Sequence, residues 1–161
     1  MYNCFDIAKQ FLQFAQDEGI GVEPMKLLKL TYIAHGWHLG FYGKPLISNT
    51  IEAWKFGPVI PDLYHITKRY GFSNVDIDTI KRRSINTLSE NDLKFLKVIW
   101  GNYKQFSGLD LSTKTHIEGS PWFKSYDGTF NKIIDNDIIK EYYKGLIANP
   151  PDAESTNGTH S

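Results

Sequence analysis

Cysteine is almost missing from this 161-residue chain, and Cys4 is the only one. That excludes an intrachain disulfide and any cysteine-rich zinc site, and it fits a reducing compartment. A surplus of charge is missing as well. Lys+Arg and Asp+Glu both number 18, so the formal net charge is zero. Proteins that bind nucleic acid non-specifically carry a marked basic excess, so no nucleic-acid partner is expected. No apolar run approaches the roughly 20 residues of a membrane span. Met1 to Lys9 has no basic stretch followed by an apolar one, so no signal peptide is expected either. These absences point to a soluble, cytoplasmic protein with no membrane partner. Also lacking are a Walker-type loop, a dinucleotide-binding glycine fingerprint and a serine in a nucleophile-elbow context.

What is present suits one domain. Hydrophobic residues make up 41% and aromatics 14%, enough for a real core at this length and too many for a disordered chain. The patterning predicts a mainly α, compact, single-domain helical fold with a small β-hairpin over residues 1–148, and a disordered tail over 149–161. Asn3 is placed to N-cap a first helix, with Phe5, Ala8, Phe11, Leu12 and Ala15 at helical spacing and Gly19 and Gly21 ending it. Pro24 suits the first turn of a second helix, apolar on nearly every side and therefore central. Gly36 and Gly40 are expected to stop it. Leu46-Ile47 and Ile51 to Trp54 read as a hairpin or two short extended pieces. Gly57-Pro58 is expected to break the chain, with Pro58 or Pro61 opening the next helix. Residues 71–88 read as a loop with a short extended piece near Val75 and Ile77. Ser89 is placed to cap a helix running to about Phe106. Leu109 to Glu118 reads as a short helix stopped by Pro121, and Asp135 or Asn136 as the cap of a last one.

Few residues offer chemistry. His35 and His38 lie three apart, so both can point from one helical face. Two ligands do not make a site, and completion by His65, His116 or a carboxylate is not dictated by spacing. Capping or packing is the default for both, and no metal or cofactor is expected. Cys4 reads as a small core residue. Glu52, Asp62 and Glu118 cannot be paired from sequence; one exposed and two structural is the simpler reading. No catalytic residues are assigned and the chain is not expected to be an enzyme. A hydrolase or metal enzyme using His35, His38 and His116 or Glu118 stands as the contrasting hypothesis. The run Lys81-Arg82-Arg83 falls in the expected loop, where it can meet phosphates or an acidic protein surface. The aromatics Tyr32, Trp37, Phe41, Tyr42, Trp54 and Phe56 crowd into 25 residues. Most belong in a core; Trp37 and Tyr42 are candidate anchors for a protein partner, together with Lys81, Arg82 and Arg83.

Three blocks are distinctive in combination: Met25 to Trp37 (MKLLKLTYIAHGW), Ile51 to Tyr64 (IEAWKFGPVIPDLY), and Leu111 to His116 (LSTKTH) followed by Glu118 and Pro121-Trp122. Over residues 3 to 147 the chain resembles the phage-associated, SocA-like Panacea antitoxin domain family, and the blocks come in that family's order. The resemblance implies a compact, mostly helical domain with a small β element. It also implies an antitoxin, typically encoded beside a toxin and neutralising it by direct protein binding. Some members carry an added DNA-binding segment, for which this chain is expected to have no room. Lys26, Leu30, Tyr32, Glu52, Trp54, Gly57, Pro58, His116 and Trp122 are the motif residues, read as mostly architectural. The alternatives kept beside the antitoxin are an adaptor delivering a bound partner to a protease through the 149–161 tail, and a phage or prophage protein sequestering a host defence effector.

Overall fold

A computed structural model describes residues 1–150; the segment expected to be a disordered tail therefore lies almost wholly outside the described residues. The first helix, α1 (Cys4–Asp17), begins where Asn3 accepts from Phe5 N and Asp6 answers with a bond from Asn3 N, a full capping box. The second, α2 (Pro24–Tyr42), starts with Pro24 in its first turn and Glu23 accepting from Met25 N and Lys26 N. From Lys26 to Gly36 every residue of α2 is buried. Helices α1, α5 (Glu90–Tyr103), α6 (Gly108–Thr115) and α8 (Asn136–Ala148) pack around it. An apolar helix with no polar stripe has to be central, because any exposed face would leave large side chains in water at about 1.5–3 kcal/mol each.

Gly36 and Gly40 do not stop α2, contrary to the expectation; it runs on to Tyr42 and ends at Gly43 with φ +69°. The two glycines serve close packing instead. A Cβ at Gly36 would run into the Tyr143 ring, and one at Gly40 would lie 2.8 Å from Tyr143 Cβ. Their missing side chains let α8 settle against α2.

The hairpin is also shifted from its expected place. Strands β1 (Glu52–Trp54) and β2 (Gly57–Val59) pair antiparallel across Lys55-Phe56, and β3 (Lys132–Ile133) adds to the other side, in the order β2-β1-β3. Leu46-Ile47 instead runs beside the N-terminus, with Tyr2 N donating to Leu46 O and Ser48 N to Tyr2 O. Gly57-Pro58 is thus part of a strand rather than a break. Pro58 sits on the edge strand, where its missing N–H is tolerated, and Gly57 takes φ +119°, open to glycine. Pro61 opens α3 (Pro61–Thr67), which continues as a 3₁₀ turn, Lys68–Tyr70.

The stretch expected to be a loop contains a short helix, α4 (Ile77–Lys81), capped by Asp76 and lying on α1. Its single buried residue, Ile80, is too little to register as a periodic pattern. Pro121 starts rather than stops a helix, α7 (Pro121–Ser125), with Ser120 accepting from Phe123 N. Ser89 caps α5 as expected, and α8 follows Asp135. The architecture is mainly α with a small three-stranded sheet. Among the described residues, no helix is long and apolar enough to cross a membrane.

Candidate functional site

Two features stand out: a hairpin held by side chains from three helices, and an open groove between α2 and α5. The hairpin exposes carbonyls that its own short ladder cannot use. Three side-chain donors take them. Lys29 Nζ on α2 donates to Pro58 O at 2.7 Å, Ser112 Oγ on α6 to Phe56 O at 2.6 Å, and Trp122 Nε1 on α7 to Trp54 O at 2.5 Å. Trp54 Nε1 donates back to Glu52 at 2.8 Å, and the Trp54 ring meets Tyr64 edge-on at 4.9 Å. His116 is hydrogen-bonded to Ser112 O and lies edge-on to Trp122 at 5.3 Å. At the tip, Phe56 remains 63% exposed.

Lys29 is the residue that sequence reading passed over. It is 3% exposed, and Pro58 O is its one hydrogen-bond acceptor among the described residues. Gly57 makes room for it, since a Cβ there would sit 3.2 Å from Nζ. Burial pulls its ammonium down from the usual 10.5 to about 7. The unfolded chain therefore holds this proton up to about pH 10.5, whereas the folded one releases it near 7. Between those values the unfolded state binds more protons, so stability rises with pH. Urea unfolding should show stability increasing from pH 7 to 8.5, and Lys29→Met should flatten that slope. An unchanged slope in the variant would place the titration elsewhere.

Another motif residue, Lys26, is held in the same way. Lys26 Nζ donates to Lys104 O at 2.5 Å and lies 5.9 Å over the Trp100 ring. Leu30 and Tyr32 are buried, and Tyr32 borders a cavity of about 160 Å³ with Tyr103, Tyr142 and Tyr143.

The histidines do not converge. His35 Nδ1 accepts from Leu46 N and Ile47 N at 3.2 and 3.3 Å, while Nε2 faces Asn136 Oδ1 at 2.9 Å. An amide oxygen only accepts, so the proton is on Nε2 and His35 is neutral. Burial, helped by nearby His38 and opposed by the Asn136 bond, lowers its pKa from 6.5 to about 4. His38 donates from Nδ1 to Lys44 O at 2.6 Å, leaving Nε2 3.9 Å from Asp92. Among the described residues, no three His, Cys, Asp or Glu side chains gather as a metal-binding group. Cys4 is fully buried, and burial with Asp62 and Asp6 nearby pushes its thiol up to about 12, leaving it unreactive at neutral pH. Asp62 accepts from Asn49 at 2.8 Å, and Glu118 is exposed.

The groove lies between the C-terminal half of α2 and the outer face of α5, with a volume of about 1000 Å³. Trp37 and Phe41, stacked at 5.6 Å, form part of one wall, and Phe95, Val98 and Ile99 form the other. His38 and Tyr42 bridge toward Phe95, with centroids 5.5 and 5.9 Å away. Trp37 Nε1 donates to Tyr103 OH at 2.8 Å and fixes one end. Trp37 and Tyr42 are thus brought together, while Lys81, Arg82 and Arg83 are exposed at the end of α4 and are not part of this lining. The α5 half of the groove was invisible in the sequence, where Val98 falls in an ordinary helical pattern with Leu93, Leu96, Ile99 and Tyr103 and Phe95 stands outside it.

Comparison with known proteins settles the family. The family model described as "Antitoxin SocA-like, Panacea domain" matches residues 27–123, more than half of the chain. The chain belongs to the SocA-like Panacea antitoxin family. Among curated proteins it is similar to Antitoxin SocA of Caulobacter vibrioides (strain NA1000 / CB15N), 29% identical over 124 residues. That match spans 72% of this chain and 66% of the relative, just under two thirds of its length. No solved structure matches. Within this Panacea chain the matched segment contains the whole groove lining and all three hairpin donors, whereas α1 and α8 fall outside it.

Proposed function

We propose that this Panacea-family protein is an antitoxin that neutralises a cognate toxin, encoded by an adjacent gene, by binding it directly and without catalysis. The observation that carries the reading is an exposed, concave apolar surface on a chain of an antitoxin family: Phe41, Tyr42 and Val98, all more than half exposed, line one groove. Isolated exposed apolar residues are ordinary, but contiguous ones on a concave face favour protein contact. Net neutrality agrees with it, because a tight complex needs shape and anchors rather than net charge. The hairpin donors and motif residues then act as a frame that keeps the domain rigid.

The test is a toxicity rescue. The neighbouring open reading frame is expressed alone and then together with this protein. Growth arrest by the first and recovery with the second is the expected result. Arrest without recovery would reject the antitoxin role.

A further inference from the structure

We propose that the α2–α5 groove receives an amphipathic α-helix of the toxin, lying along α5 with its apolar face on Phe41, Phe95 and Val98 and an acidic side chain at the end marked by Lys44 and Lys94. This assignment rests on the antitoxin reading above.

The shape of the groove selects a helix. Both walls are helices whose backbone groups are bonded internally, so the groove offers side chains and no sheet edge. An extended peptide laid there would leave its own backbone N–H and C=O groups without ladder partners against an apolar wall. A helix arrives with its backbone already satisfied and presents anchors at i, i+3, i+4 and i+7. The α5 lining runs from Asn91 to Tyr103, about 18 Å at 1.5 Å per residue. Three helical turns cover that length.

Charge then sets the flank. Asp92 is the one acidic residue in the lining; its Oδ2 accepts from Tyr2 OH at 2.6 Å and Ser89 Oγ at 2.8 Å, and its side chain is only 26% exposed. Lys44 is exposed and has no carboxylate within 4.0 Å among the described residues. Lys94 meets Glu90 at 3.7 Å, but both side chains are largely in water and the pair holds it weakly. Within the lining, Lys44 and Lys94 thus outnumber the one, less exposed carboxylate of Asp92, and an Asp or Glu on the incoming helix complements that positive excess.

The experiment titrates the purified neighbouring-gene toxin into the purified full-length protein and three variants whose altered side chains are exposed: Val98→Glu, Lys44→Glu and, at the hairpin tip, Phe56→Glu. Circular dichroism confirms that each is folded. Val98→Glu should weaken binding by about thirtyfold or more, the scale of a central interface anchor. Lys44→Glu should slow association about tenfold at low salt, as a rim charge does. Phe56→Glu should stay within about twofold of wild type. Benzoylphenylalanine in place of Val98 should crosslink to residues of the toxin spaced three or four apart. Groove variants that bind like wild type, a crosslink pattern alternating every second residue, or a homodimer that Val98→Glu dissolves would each overturn the proposal while leaving the antitoxin reading intact. No binding by the wild-type protein would instead bring down that reading, and this assignment with it.

Discussion

Asp6→Ala should destabilise the fold by about 2–4 kcal/mol, although Asp6 lies near the N-terminus and far in sequence from what it holds. Its side chain is completely buried. One oxygen accepts from Ser84 Oγ and Ile85 N at 2.7 Å and from Asn86 N at 3.0 Å. The other accepts from Asn86 Nδ2 at 3.2 Å and Asn3 N at 3.1 Å. Burial pushes this carboxyl up, but the bonds from Ser84, Asn86, Ile85 and Asn3 outweigh it and hold the group below the usual carboxylate range. Alanine would strand several donors at ~1–3 kcal/mol for each that water cannot reach, and would remove half of the α1 capping box. The loss should be local as well as global. Hydrogen exchange at the Ile85 and Asn86 amides should accelerate in Asp6→Ala well before the core opens. Retained protection at those two amides would show that the loop is held by something other than Asp6.

Acidification from pH 7 to 4.5 should cost the fold roughly 2–3 kcal/mol through His35. Its folded pKa of about 4 is depressed from the ordinary 6.5. In that interval the unfolded chain takes up a proton that the folded one refuses, so stability falls as pH falls through 6.5 and the loss is complete near 4. The Asp6 and Glu18 carboxyls are held below their ordinary values of 3.8 and 4.5. They lose stability in the same direction but lower on the pH scale, and Lys29, already half-protonated at pH 7, adds only about 0.4 kcal/mol below it, so most of the loss above 4.5 belongs to the histidine. Urea unfolding at the two pH values measures the difference, and imidazole proton resonances assign it. Equal stability at pH 7 and 4.5 would contradict a neutral, buried His35 bridging Leu46, Ile47 and Asn136.

The parts of this fold that were legible in the sequence are those decided locally. Asn3, Pro24 and Ser89 announce helix starts because a cap needs only its own next three residues. The centrality of α2 was legible from its lack of a polar face. What was misread depends on partners distant in sequence. Gly36 and Gly40 look like a helix stop, and only Tyr143, over 100 residues on, shows them to be a packing surface. Gly57-Pro58 looks like a break until β1 is found beside it and Lys29 beneath it. Pro121 obeys two rules with opposite outcomes, ending one helix or opening the next, and Ser120 as cap decides for opening.

Lys29 carries a different lesson. A lysine on a helix without a polar face has no exposed stripe to occupy, so its burial followed from the apolar pattern around it. Trp37 and Tyr42, candidate anchors by residue type, line one groove. Lys81, Arg82 and Arg83 are distinctive in the sequence by charge density alone. They lie on another part of the molecule, because a basic run carries no information about which element it will sit beside. The α5 wall needed the tertiary fold, since Val98 in a helical pattern looks the same whether it faces a core or an open groove.

Direct toxin neutralisation is measured most directly with two purified proteins. The neighbouring-gene product and this protein are mixed and passed over a size-exclusion column with light-scattering detection, and toxin activity is assayed in the peak. A stable co-eluting complex in which that activity is lost is the predicted result. Separate elution with the toxin fully active would contradict the account.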